Sequence, residues 1–222
     1  MSERIERDIE AILGNRIGRE CVFMPSGRFA IHLAFQLLLS PGDRILMSPL
    51  EDDTVFFGAL AAGLRPVMAP VSAHDGNMRV DAIDGVTWST ISAVLTGNTY
   101  GLPDRVVELS ATCDRFEIPL IEDAAHALET DIDGRPIGSF GAVSAFSLSK
   151  HLPGRGGVLA LDQEVSRPDV ARIVAPFQGS VYSAFASSPG RCPGLACFGP
   201  LRGGKRNAQH QNWRVVLVIA AR

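Results

Sequence analysis

Three short segments of this sequence carry residue types whose chemistry could converge on one ligand. The first runs Ile118-Pro119-Leu120-Ile121-Glu122-Asp123-Ala124-Ala125-His126. An apolar stretch delivers two acids, and the small residues after them let a flat ligand approach the backbone. Asp123 could pair with a protonated ring nitrogen there, and His126 could reach the same ligand. The two acids could equally cap a following helix. The second segment is Phe146-Ser147-Leu148-Ser149-Lys150, followed by Gly154-Arg155-Gly156-Gly157. A lysine held in a cleft loses its proton more readily and can form an imine with an aldehyde. The hydroxyls of Ser147 and Ser149 can bond phosphate oxygens, and the glycines allow a tight turn. A surface lysine in a loop would read the same way. The third segment is Pro25-Ser26-Gly27-Arg28 at the start of a helix. A helix N-terminus offers free N–H groups and partial positive charge, which suit a phosphate. Ser26 is also simply a good N-cap.

The elements that must position these residues alternate in type. Apolar spacing predicts helices over 3–14, 28–39, 54–62 and 105–116, with Gly14 and Gly63 as stops. Short apolar runs predict strands over 21–24, 44–47, 66–69, 91–95, 118–121, 143–146 and 158–161. Strands alternating with helices imply an α/β fold of three layers, a mostly parallel sheet covered on both faces. Ligands of such sheets sit outside the carboxyl ends of the strands. Asp123 and Lys150 each follow a strand at that end. After Asp162 the pattern changes, and residues 178–212 are rich in Gly, Ser, Pro and Arg with little periodicity.

Composition excludes several classes. The net charge of −3, with no block of Lys or Arg, offers nothing to a nucleic acid or an anionic membrane. No apolar run approaches the ~20 residues of a membrane span. The charged N-terminus lacks the apolar core of a signal peptide, so the expected location is the cytoplasm. Cys21 and Cys113 lie in apolar segments and read as buried thiols. Cys192 and Cys197 lie in a Pro/Gly loop without the CxxC pairs or nearby histidines of a metal site, so no metal is expected.

A phosphate cradle, then an Asp at a strand end, then a Lys at a later strand end resemble, in that order, the fold-type I pyridoxal 5′-phosphate (PLP) enzymes. More closely, the chain resembles the DegT/DnrJ/EryC1/StrS family of sugar aminotransferases. The likeness covers about residues 3–165 and is carried by GDRIL (42–46), AAGLRPV (61–67) and PLIEDAAHALETDIDGRPIGSFGAVSAFSLSK (119–150). It implies the large, PLP-binding domain of such an enzyme. Lys150 would be the Schiff-base lysine and would move protons at the substrate carbon. Asp123 would hold the pyridine nitrogen protonated, making the ring an electron sink. His126 would lie against the ring or its 3-oxygen. The backbone around Ser26, Gly27 and Arg28 and the Ser147 hydroxyl would hold the phosphate. Asn98 and Tyr100 fall near where the family touches substrate, and a polar turn accounts for Asn98 as well. The implied reaction moves an amino group from an amino acid, with glutamate expected, to a keto sugar nucleotide. The implied assembly is a homodimer with the site at the subunit interface.

The sequence departs from the family pattern in places. The phosphate cradle reads Ser-Gly-Arg rather than Ser-Gly-Thr, and Ser147 precedes Lys150 by three residues rather than five. The aromatic or histidine that normally stacks on the cofactor has no counterpart in 49–54, and Phe56 and Phe57 read as helix core positions. The small C-terminal domain is not recognisable. The expected organisation is therefore a PLP-binding large domain over 1–165 and an atypical, truncated or poorly ordered tail over 166–222. The alternative function is a truncated, non-catalytic remnant that binds PLP or a partner subunit. Dehydratases of the family carry His in place of the Schiff-base Lys. Lys150 speaks against that chemistry, although His151 is next to it.

Overall fold

A computed structural model describes residues 3–151 and 156–177. The tail beyond 177, with Cys192 and Cys197, and residues Gly154 and Arg155 lie outside the described residues. Helix α1 (Glu3–Ile17) leads into β1 (Glu20–Met24), α2 (Gly27–Leu38), β2 (Arg44–Met47), α3 (Asp53–Ala61) and β3 (Arg65–Met68). A short α4 (Gly85–Thr90), β4 (Ala93–Gly97), α5 (Val106–Phe116) and β5 (Leu120–Asp123) follow. A two-stranded hairpin, β6 (Asp131–Ile132) and β7 (Arg135–Pro136), precedes β8 (Val143–Ser147), β9 (Gly157–Leu161) and α6 (Arg167–Phe177).

Seven strands form one sheet in the order β1-β9-β8-β5-β4-β2-β3. The pairs β2–β3, β2–β4, β4–β5 and β5–β8 are parallel, and β9 is antiparallel to both of its neighbours. The central strands are buried on both faces, so they are mostly apolar rather than alternating, while the edge strand β3 is partly exposed. Their side chains still divide by the period of two. Ile45, Met47, Ala93, Leu95 and Ile121 pack on one side with Ala30, Leu33 and Phe35 of α2, Val55 and Ala59 of α3 and Val170 of α6. Leu46, Val94 and Leu120 pack on the other with Leu13 and Ile17 of α1, Trp88 of α4 and Leu109 and Cys113 of α5. The expected three-layer α/β architecture is the one observed. Cys21 and Cys113 are free, buried thiols, and burial pushes both up to about 12.

Several boundaries differ from the sequence reading: β4 and β5 each lie two residues later than expected, so that Glu122 and Asp123 fall within β5 and not after it. Helix α1 runs past Gly14 to Ile17 and ends at Gly18, whose φ of 74° is left-handed. Burial of Ile17 against the sheet outweighs the cost of about 1 kcal/mol that a glycine brings to a helix interior. Helix α6 lies where no further helix was expected. Its buried Val170 packs on α2 and secures it to the domain. No helix among the described residues is long and apolar enough to cross a membrane.

Candidate functional site

The parallel strands β2, β4, β5 and β8 end on one edge of the sheet, and the three chemical segments meet there. The fit begins at α2. Ser26 is its N-cap: Oγ accepts the N–H of Phe29 at 3.1 Å and the carbonyl accepts that of Ala30 at 3.0 Å. The N–H groups of Gly27 and Arg28, in the first turn, have no intrahelical partner. Gly27 is required by close approach, since a Cβ there would lie 2.7 Å from Ser147 Cβ. Gly157 is tight in the same way, because a Cβ on it would lie 2.5 Å from Gly27 N. The helix mouth is thus pressed onto the ends of β8 and β9. Beyond it, Ser147 and Ser149 share a hydrogen bond of 3.1 Å between their hydroxyls.

Strand β5 carries the two acids, and the pleat sends them to opposite faces. Glu122 is fully buried and accepts the N–H groups of Gly138, Phe140 and Gly141 at 2.8, 2.8 and 2.6 Å. It is a tether for the 138–141 loop. Asp123 faces the sheet edge instead, and its Oδ1 accepts the N–H of Ala125 at 2.9 Å. Neither acid caps a helix, because a turn and not a helix follows the strand.

Lys150 ends a single 3-10 turn after β8 and is exposed. His151 reaches back from that turn, with Nε2 3.2 Å from the Ala125 carbonyl. The contact ties the Lys150 segment to the turn after Asp123. His126 lies in that same turn. Its Nδ1 accepts the N–H of Tyr100 at 3.3 Å, and the two rings stack with centroids 5.8 Å apart. Tyr100 adopts a left-handed φ of 57°, unusual for an aromatic residue, and the residue is 86% exposed. Asn98 is buried, with its amide donating to the Asp123 carbonyl at 3.2 Å. It supports the strand end, as the polar-turn reading has it.

Sequence reasoning assigned no role to Glu51 and Asp52, which the structure brings to the same place. Both follow β2 at the carboxyl edge, the same positional rule that marks Asp123. Asp52 caps α3, with Oδ1 accepting the Thr54 N–H at 2.8 Å. Burial pushes the Asp52 carboxyl up, but the two hydrogen bonds from Thr54, with Lys150 and Arg28 nearby, bring it below its ordinary range. Glu51 goes the other way. Burial, then the charge of Asp123, raise its carboxyl to about 8. Burial raises Asp123 as well, against the Ala125 hydrogen bond and the Lys150 charge, which lower it. His126 is lowered by burial and by the charges of Lys150 and His151. These mutual influences make one electrostatic cluster of Arg28, Glu51, Asp52, Asp123, His126 and Lys150. Phe56 is half-buried against the α2 side of the core and Phe57 is exposed, their rings edge-on at 5.5 Å.

The profile of the DegT/DnrJ/EryC1/StrS aminotransferase family matches residues 1–171. The chain belongs to this family. Its members depend on PLP. Among relatives of this aminotransferase-family chain, UDP-N-acetyl-3-dehydro-alpha-D-glucosamine 3-aminotransferase of Acidithiobacillus ferrooxidans is 29% identical over 169 residues, 73% of this chain and 45% of the relative. The dTDP-4-dehydro-2,3,6-trideoxy-D-glucose 4-aminotransferase of Saccharopolyspora spinosa is 28% identical over 168 residues, 72% of this chain and 44% of the relative. An aminotransferase from Psychrobacter cryohalolentis shares the fold with a TM-score of 0.67 at 20% identity, over 96% of this chain and 54% of that one. A GDP-4-keto-6-deoxymannose-3-dehydratase, solved with a trapped PLP–glutamate geminal diamine, has a TM-score of 0.66 at 24% identity, over 74% of this chain and 45% of that one. The chain spans about half the length of the curated relatives it matches.

Proposed function

We propose that this chain is the cofactor-binding part of a PLP-dependent aminotransferase that moves an amino group from glutamate to the keto group of a nucleotide-linked sugar. One observation carries the reading. Asp123, at the end of β5, and Lys150, just past the end of β8, stand beside the mouth of α2, close enough for the Lys150 charge to lower the Asp123 carboxyl. A flat, phosphorylated aldehyde fits these residues. The Gly27 and Arg28 N–H groups, the Arg28 side chain and the Ser147 hydroxyl would hold the phosphate. The close packing of Gly27 on Ser147 supports this, since it holds the mouth of α2 directly against the end of β8, next to that hydroxyl-bearing residue. Asp123 would keep a proton on the ring nitrogen. His126, steadied by the Tyr100 N–H and ring, would rest against the cofactor ring.

When bound, PLP supplies an aldehyde for the amino group and a protonated ring that draws electrons from the substrate carbon. Lys150 is the amine for that aldehyde and the base that would move a proton at the same carbon. The sugar nucleotide, by analogy with what the relatives are named for, would enter from the exposed Tyr100 side. A homodimer is part of the proposal. Leu50, Phe57, Leu60 and Met68, on and beside α3 and β3, are 44–59% exposed and offer apolar surface to a second subunit.

The test is a visible absorption spectrum of the chain with added PLP, before and after borohydride. The expected result is a band that borohydride converts to a covalent label on the peptide holding Lys150, and no label in Lys150→Ala. No band in folded protein would overturn the assignment and favour a non-catalytic role in binding a partner subunit. Light scattering would read the dimer independently.

A further inference from the structure

Glu51 is unused in the function proposed above, yet its carboxyl is built into the site. Its N–H donates to the Ser48 carbonyl at 3.2 Å, closing the turn after β2. Its Oε1 accepts the N–H of Asp52 at 3.1 Å, while Oε2 is buried with no hydrogen-bond partner. Oε2 lies against the backbone of Gly97, so close that a Cβ on Gly97 would collide with it. Gly97 is in turn the direct partner of Asp123 across β4 and β5. The absence of a side chain at Gly97 therefore makes the slot through which the Glu51 carboxyl approaches Asp123.

A buried carboxylate oxygen without a donor is costly, and a neutral carboxylic acid much less so. The charged groups around Glu51 all push it towards the neutral form. Asp123 faces it from β5, Asp52 lies on its own turn, and Asp104 follows β4. The cations of the cluster act elsewhere: Lys150 on Asp123 and Asp52, and Arg28 on Asp52. His126 and His151 belong to the turn beyond Asp123 and the turn beyond Lys150. Asp123 has what Glu51 lacks, a nearby cation, in Lys150.

We propose that Glu51 and Asp123 form a carboxyl pair that holds a single proton at neutral pH, with Glu51 keeping it and Asp123 left as the carboxylate. Glu51 is then a positioning residue. It fills the space beside Asp123 without adding a second negative charge. The ring nitrogen that Asp123 would face belongs to the PLP reading, but the pair itself does not depend on any cofactor.

The experiment is the stability of the full chain without cofactor, followed by urea denaturation from pH 5 to pH 9, in wild type, Glu51→Gln, Asp123→Asn and the double variant. Glutamine keeps the shape of the protonated acid. A carboxyl raised in the folded state contributes stability below its unfolded value that is lost as pH rises through the folded one. Wild type and Glu51→Gln are therefore expected to lie closest together at pH 5, the acid end of the range. The folding equilibrium of wild type then falls relative to Glu51→Gln by at least about tenfold towards pH 9, since each unit of pKa shift is a factor of ten. In the Asp123→Asn background that divergence shrinks. Parallel curves in the wild-type background, or a divergence that Asp123→Asn leaves unchanged, would overturn the pair. Binding of pyridoxamine 5′-phosphate, which has ring and phosphate but no aldehyde, reports separately on the cofactor reading. A chain that takes no cofactor yet shows the divergence supports the pair and sinks only that reading.

Discussion

Glu122 Oε1 accepts the N–H of Gly141 at 2.6 Å, one strand residue away from the acid that faces the site. Gly138 and Phe140 donate to the same carboxylate, and Ser144 Oγ lies 2.9 Å from Oε1 on the paired strand β8. Three buried backbone donors depend on this one side chain. Glu122→Ala is therefore expected to destabilise the fold by roughly 3–5 kcal/mol, the cost of stranding several buried donors. Urea denaturation at pH 7 measures it. A loss under about 1 kcal/mol would show that the 138–141 loop is held in some other way.

The mouth of α2 gives a steric prediction. Gly27→Ala sets a methyl 2.7 Å from Ser147 Cβ and 3.0 Å from its Cα. Ser147 is held in strand β8 and cannot yield easily. Overpacking of this kind costs about 1–3 kcal/mol, and α2 should be pushed off the strand end. The prediction is a loss of stability in urea together with a loss of affinity for PLP, read by quenching of protein fluorescence. Unchanged affinity would remove the α2 mouth from the phosphate site.

Asp123→Asn keeps the size of the side chain and removes its charge. If Asp123 faces a protonated ring nitrogen, affinity for PLP should fall by about tenfold or more, a change of ~1.4 kcal/mol or above. Stability should change little, because an amide oxygen can still accept the Ala125 N–H. A difference spectrum titrated with PLP gives the affinity. Equal affinities would show that another group meets the ring nitrogen.

His32 supplies an acid-side prediction. It is 5% exposed in α2 beside α3, and neither ring nitrogen makes a hydrogen bond of good geometry. The Gly58 backbone opposes the effect, but burial dominates and lowers the imidazole below 6.5. A folded pKa below the unfolded one means the unfolded chain binds the proton first. Stability is thus intact above pH 6.5 and falls as pH drops from there towards the folded value. His32→Leu should flatten this acid-side loss without harming stability at pH 7, since it replaces a buried polar ring by an apolar side chain. Melting temperatures from pH 7 to pH 5 compare the two. A wild-type decline that persists undiminished in His32→Leu would place the acid sensitivity elsewhere.

Much of the fold was legible in the sequence because a sheet covered on both faces has short, mostly apolar strands. The runs at 118–121, 143–146 and 158–161 stand out for that reason, and Asp123 and Lys150, just past the ends of the first two, follow from the position of ligands on such sheets. The order of the segments at Ser26, Asp123 and Lys150 carried the family likeness without any coordinates. Other features depend on contacts between residues far apart in the chain. Nothing local says that Glu122 and Asp123 part company, one tethering a loop and the other facing the edge. That division comes from the pleat of β5 and from the loop that returns over it. Nor does Glu51 reveal itself in sequence. It matters only because β2 and β5 lie on either side of β4, whose Gly97 leaves room for two carboxyls to approach. Strand order is set by packing between distant segments, and only the folded chain brings that slot into being.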